Sequence, residues 1–115
     1  MKNCDLYWLA GLIEGEGCFS VCGNKKDGRK GVPTLALGMC DLDVMERAGR
    51  LLGKAPYRPV QVFNGSKRVR DSFRIHIYGA PAVSWMRRLY PLMGHRRQAR
   101  IREVLELTGY APISD

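Results

Sequence analysis

The stretch LYWLAGLIEGEGCF, residues 6–19, governs how the rest of the chain is read. Leu6 to Glu14 read as a helix, yet Gly11, Gly15 and Gly17 lie in or just after that run. Each interior glycine costs a helix about 1 kcal/mol relative to alanine. Two carboxylates, Glu14 and Glu16, arrive where the apolar character ends. Gly11 and Gly15 are four apart and so share a helix face, with Ala10 beside them. Small residues at that spacing let two backbones approach closely, and a second helix packed there offsets the lost propensity. If that helix belongs to a symmetry-related copy of the chain, one carboxylate from each copy converges on a single point. Converging acids repel unless a cation lies between them, and hard oxygen ligands suit Mg²⁺.

The bulk properties point the same way. A chain of 115 residues with 45% apolar content is expected to form one domain, residues 1–115, with one modest core. The net charge of +8 and a pI near 9.7 call for a polyanionic partner, nucleic acid first and an acidic membrane second. No apolar run approaches the length of about 18 residues that a membrane span needs, and the N-terminus lacks a signal-peptide core. The expectation is an intracellular protein with no membrane partner, cytoplasmic in a bacterial or phage setting, or organellar. Cys18 and Cys22 are four apart, but no second close pair or nearby histidine completes a zinc pattern, so Cys4, Cys18, Cys22 and Cys40 are expected as reduced thiols.

Along the chain, Asp5 is positioned to cap a helix over roughly 6–15. Cys18 to Cys22 alternate as a strand with Phe19 and Val21 on one face, and a polar loop over residues 23–31 leads to a second strand with Leu35, Leu37 and Met39 inward. Asp41 or Asp43 caps a helix carrying Val44, Met45, Ala48, Leu51 and Leu52, which Gly53 ends. A strand over Val60 to Phe63, a turn at Asn64-Gly65-Ser66 and a longer strand from Lys67 to Tyr78 follow. Ala80-Pro81 opens a helix with Val83, Trp85, Met86, Leu89 and Tyr90. A last helix, roughly 95–108, carries Ile101, Val104, Leu105 and Leu107 behind the basic start HRRQAR. The order α-β-β-α-β-β-α-α defines an α+β domain on an antiparallel sheet.

The string LAGLIEGEG, residues 9–17, closely resembles the LAGLIDADG motif of homing endonucleases, with Glu at both acidic positions and Gly for the second Ala. The element order read above is that family's αββαββα fold, with a saddle-like antiparallel sheet that binds DNA, so the resemblance covers essentially the whole chain. It resembles single-motif members, which work as homodimers. The resemblance implies that Glu16 binds catalytic metal, that the Gly15 carbonyl contributes, and that Glu14 is supportive. It implies Mg²⁺, on the order of two or three ions per dimer, and no small-molecule cofactor. The polar residue that such enzymes place after the second strand is replaced by Met39, with Cys40 and Asp41 next. His95, Arg96 and Arg97 compete for the role of the basic residue at the cleaved phosphate; Arg97 is favoured. Tyr7, Ala10, Gly11, Glu14 and Gly15 form the implied dimer interface.

The last strand carries a separate argument. Arg68, Arg70, Ser72, Arg74, His76 and Tyr78 fall on one face, and Val69, Phe73, Ile75 and Ile77 on the other. A merely solvated face is the usual reason for such alternation, but arginines at three alternate positions without matching acids suit guanine edges in a major groove. Ser20, Cys22 and Asn24 on the first strand and Thr34 on the second lie in the family's base-contacting places. Lys25, Lys26, Arg29 and Lys30 are expected to hold phosphates and set position rather than sequence. His76 and His95 are more often hydrogen-bonding side chains than catalysts.

The reading is a metal-dependent endonuclease that cuts a long, near-palindromic duplex DNA site as a homodimer. Two alternatives use the same surface, a non-cleaving DNA-binding regulator and an RNA-binding maturase. Retention of both motif acids favours the enzyme; Met39 argues a little the other way.

Overall fold

The computed structural model describes residues 1–23, 30–58, 63–64, 67–68 and 72–114. Its elements are α1 (Asn3–Glu16), β1 (Gly17–Cys22), β2 (Val32–Met39), α2 (Leu42–Leu52), β3 (Phe63–Asn64), β4 (Lys67–Arg68), β5 (Phe73–Tyr78), α3 (Ala80–Leu89), a 3₁₀ turn (Tyr90–Leu92) and α4 (His95–Leu107). The helices appear in the predicted order, but the expected single strand Lys67–Tyr78 is a correction: its ends form β4 and β5, which belong to separate sheets, so Arg68 does not share a sheet face with Arg74. Helix α1 starts earlier than expected: Lys2 takes the capping position, and Asp5 lies inside the first turn, where it pairs with Arg47 at 3.5 Å. The expected strand Val60–Phe63 is described only from Phe63, since residues 59–62 lie outside the described set. The same holds for residues 69–71 of the expected strand Lys67–Tyr78. Phe63 pairs with Arg68 and Asn64 with Lys67, so Asn64 of the expected turn Asn64-Gly65-Ser66 belongs to β3, and residues 65–66 lie outside the described set.

The main sheet has the antiparallel order β1-β2-β5. Phe19, Leu35, Leu37, Ile75 and Ile77 all turn to one side and are buried against Leu9, Ile13, Met45, Met86, Leu89, Ile101, Val104 and Leu105 of the helices. Burying that set is the main stabilising term, at about 25 cal/mol per Å² of apolar surface. Helix α2 ends where Gly53 adopts φ 76°, a left-handed conformation that glycine takes without steric cost. Leu107 is a correction: at 41% exposure it faces solvent, and Thr108 takes the buried place, its hydroxyl donating 2.6 Å to the Val104 carbonyl.

Strand β1 is an edge strand, and an unpaired edge leaves carbonyls that need donors. Helix α4 supplies them. Arg97 Nη1 donates to the Gly17 carbonyl, and Arg100 Nε donates 2.9 Å to the Phe19 carbonyl. Arg97 Nη2 also donates 3.1 Å to the Glu14 carbonyl, and its Nε lies 3.4 Å from Glu14 Oε2, an ion-pair contact without hydrogen-bond alignment. The other carboxylate oxygen, Glu14 Oε1, accepts from the Gly94 amide just before α4. A Cβ at Gly94 would stand 2.6 Å from that oxygen, so a side chain there would push the Glu14 carboxylate aside. A carboxylate is favourable at this end of a helix, where amide donors lack partners. The junction of α1 and β1, and with it Glu16, is therefore clamped to α4.

Arg97→Met keeps the aliphatic stem but removes all the donors. Two carbonyls and a carboxylate then lose partners, at about 1–3 kcal/mol per buried group left unsatisfied. The urea midpoint should drop clearly with an unchanged slope, whereas Arg100→Met should cost less. Wild-type stability in Arg97→Met would mean that the clamp is not formed.

Candidate nucleic-acid interface and the Glu16 cleft

The register fixes what lies on the open side of the sheet. Ser20 of β1, Thr34 of β2 and Tyr78 of β5 form one row, and Cys18, Ala36 and His76 the next; Gly38 and Arg74 begin the third, beside the end of α1. Ala36 and Gly38 make a shallow floor on the central strand, and longer residues rise on β5. A cleft of about 300 Å³ lies here, lined by Glu16, Cys18, Gly38, Cys40, Ser72, Arg74 and His76 among others. Glu16 is the last residue of α1 and exposed, and among the described residues its carboxylate has no hydrogen-bond or ion-pair partner. No basic residue occupies the last turn of α1, so the negative end of that helix meets an acid there.

His76 occupies the middle of the β5 face. Its Nδ1 and the Tyr57 hydroxyl share a 2.7 Å hydrogen bond, and its ring stacks on Tyr78 with centroids 5.9 Å apart. Desolvation first, then the Arg74 and Lys54 charges, hold its pKa below the ordinary 6.5, so it is neutral at pH 7. Tyr57 and Lys54 did not stand out in the sequence. Tyr57 reaches the site by an isolated bridge to Arg74, amide to carbonyl in both directions at 2.9 and 2.8 Å. Lys54 Nζ lies 5.4 Å from the Tyr78 ring centroid. No local pattern announces such a long-range pairing.

Several expected site residues land elsewhere. Arg97 is only 16% exposed in its side chain, its guanidinium engaged by Gly17 and Glu14, so it is a holding residue. His95 and Arg96 are exposed at the start of α4 but do not line the cleft. Thr34, expected to contact bases, is 3% exposed between its strand neighbours, its hydroxyl donating 3.3 Å to the Val32 carbonyl. Ala10 is 4% exposed and belongs to the core, and Glu14 turns toward its own α4, so neither lies on the free glycine face of α1. That face is real: Tyr7 is 60% exposed, and a Cβ on Gly11 or Gly15 would meet nothing within 4 Å. Ser20 is half-buried and Cys22 exposed. The Lys30 side chain lies over Gly109 after α4, where a Cβ would come within 2.8 Å of its Cδ. Arg68 lies in β4; Asn24, Lys25, Lys26, Arg29 and Arg70 lie outside the described residues, as does the Arg68 side chain. All four cysteines are free and exposed.

Solved structures resemble the chain, and its fold is that of homing endonuclease structures. A crystal structure of the homing endonuclease I-CvuI with the I-CreI target, in the presence of Mg and with the DNA not cleaved, matches with TM-score 0.63 and 14% identity over 90% of this chain and 66% of that one. Another I-CvuI structure, with its own target in the presence of Ca, matches with TM-score 0.59 and 13% identity over the same 90% and 66%. The chain thus spans about two thirds of the length of those chains. No family model and no curated protein matches the sequence.

Removing a neighbouring cation raises the pKa of a histidine. Arg74→Ala should therefore move the His76 titration upward toward 6.5, with Lys54→Ala acting in the same direction. Histidine ring resonances followed by NMR against pH check this, and an unmoved His76 in both variants would remove those charges from its surroundings.

Proposed function

We propose that the chain is a LAGLIDADG-type homing endonuclease that acts as a homodimer on a long, near-palindromic duplex site. One observation carries the reading: the open stripe Tyr7–Gly11–Gly15 on α1 runs to the unpartnered Glu16 carboxylate at the edge of the sheet's bare face. A second copy of α1 on that stripe brings the two Glu16 side chains together. No group of three or more metal-ligating side chains exists within one copy among the described residues. The donors present, a free carboxylate and helix-end carbonyls, are hard oxygens that fit Mg²⁺ in a site shared by two copies. A bound divalent cation would supply an activated water and charge stabilisation at the phosphate. Glu16 holds that cation, with the Gly15 carbonyl in support. The α4 clamp fixes where Glu16 points, and the face carrying Ser20, Arg74 and His76 lies along the duplex. Similarity to structures of I-CvuI in complex with DNA targets supports DNA binding.

Met39, partly buried against the core, also lines the cleft, so an apolar side chain stands where such enzymes place a polar one, and this favours a non-cleaving DNA-binding regulator as the second reading. Glu16→Gln distinguishes the two. The variant should bind DNA as well as wild type or better, since a negative group beside phosphate is gone. Its cleavage with Mg²⁺ should fall by several orders of magnitude, and wild type should bind without cutting in Ca²⁺. If wild type cuts no duplex it binds, the regulator reading replaces the enzyme.

The dimer is tested separately. Gly11→Leu or Gly15→Leu should give monomer or aggregate in sedimentation, because overpacking a close helix crossing costs about 1–3 kcal/mol. A wild-type monomer even with DNA present would sink the shared site.

A further inference from the structure

We propose that Arg74, rather than the basic start of α4, is the cation that meets the DNA phosphate held beside Glu16. Three observations carry this. Arg74 lines the Glu16 cleft, whereas His95, Arg96 and Arg97 do not. Its stem passes over the bare Gly38, where an added Cβ would stand 3.7 Å from Arg74 Cγ, so it leans across the floor of the cleft. Its guanidinium makes no hydrogen bond or ion pair among the described residues, while the two backbone bonds to Tyr57 fix its root.

The other arginines with described contacts are occupied. Arg97 serves Gly17 and Glu14, Arg100 serves Phe19 and Glu103, and Arg87 donates 2.7 Å to the Ala111 carbonyl. Arg102 bonds the Tyr90 hydroxyl, and Arg47 pairs with Asp5 at 3.5 Å. A free, planar, always-charged fork on an anchored root, over a floor of Ala36 and Gly38 that offers no side-chain donors, suits bidentate contact to phosphate oxygens. The neighbouring His76 is neutral and adds no second charge there.

The meaning of Glu16 in this proposal rests on the endonuclease reading, but the contact between Arg74 and phosphate does not. The test uses full-length protein and a duplex that wild type selects from a random-sequence library, with binding measured in Ca²⁺. Arg74→Ala should weaken binding and lower the magnitude of the log–log salt slope by about 1. Arg74→Lys should recover the slope but not the full affinity, and Arg96→Ala should leave the cleft contact unchanged. Placing single neutral methylphosphonates through the central steps should find one phosphate whose neutralisation weakens wild type but not Arg74→Ala. With Mg²⁺, Arg74→Ala should also cut more slowly at saturating protein. A changed base preference in Arg74→Ala with an unaltered salt slope, or no phosphate that cancels the difference, makes Arg74 a base reader and overturns the proposal. If the phosphate signature appears but wild type never cuts, Arg74 stands and only the endonuclease reading falls. A wild type that binds no duplex overturns both.

Discussion

The contact between Glu14 and α4 is the constraint on which the candidate site depends. Glu16 ends a helix whose last turn contains Gly15 and is followed by Gly17, and such an end frays unless something outside the helix holds it. Glu14, one half-turn before, reaches the Gly94 amide, and Arg97 returns from α4 to the Glu14 and Gly17 carbonyls. The partly buried pair is not by itself strong evidence of stability, since desolvation offsets much of the attraction. Its effect is geometric. It ties three backbone groups and a carboxylate at the turn from α1 into β1, and it leaves Glu16 as the acid that is free.

The two acids of the motif thus separate into different roles by direction alone. Along a helix, residues two apart point to opposite sides, so Glu14 faces inward to α4 when Glu16 faces the cleft. The same rotation explains the glycines. Gly11 and Gly15 fall on the uncovered side, where no intrachain packing offsets their poor helix propensity, while Leu9, Ala10 and Ile13 hold the opposite side in the core. A helix with glycines beside Tyr7 on its solvent side and a well-packed inner side is suited to a close neighbour.

What the sequence made legible was periodic. The alternation over β5 placed Arg74, His76 and Tyr78 on the open face and Ile75 and Ile77 in the core, and the helical spacing of Met45, Ala48 and Leu52 was right as well. What it hid was long-range. Arg97 reads as an exposed cation at a helix start, and only the proximity of α4 to the β1 edge turns it into a carbonyl cap. Thr34 has the alternation of an open-face residue, but a central strand lets its neighbours on both sides cover it. Tyr57 sits between prolines without strand periodicity, and its bridge to Arg74 follows from tertiary packing alone. Ala10, small and next to Gly11, reads as part of the glycine face, but its helical angle points it to the core.

The charge follows from the same division. The net +8 is unevenly available to a partner, because Arg97, Arg100, Arg87, Arg102 and Arg47 have their guanidinium groups directed to oxygen partners within the chain. Cations so engaged are still positive, but they are held away from the sheet's open face or masked by carbonyl dipoles. On the described part of that face, Arg74 stands free next to a histidine that desolvation and its cationic neighbours keep neutral. On this described part, an anion would meet the Arg74 charge beside Glu16, with Lys54 over the Tyr78 ring. Localisation of this kind favours docking in one register, because a displaced phosphate gains little from charges that already have partners.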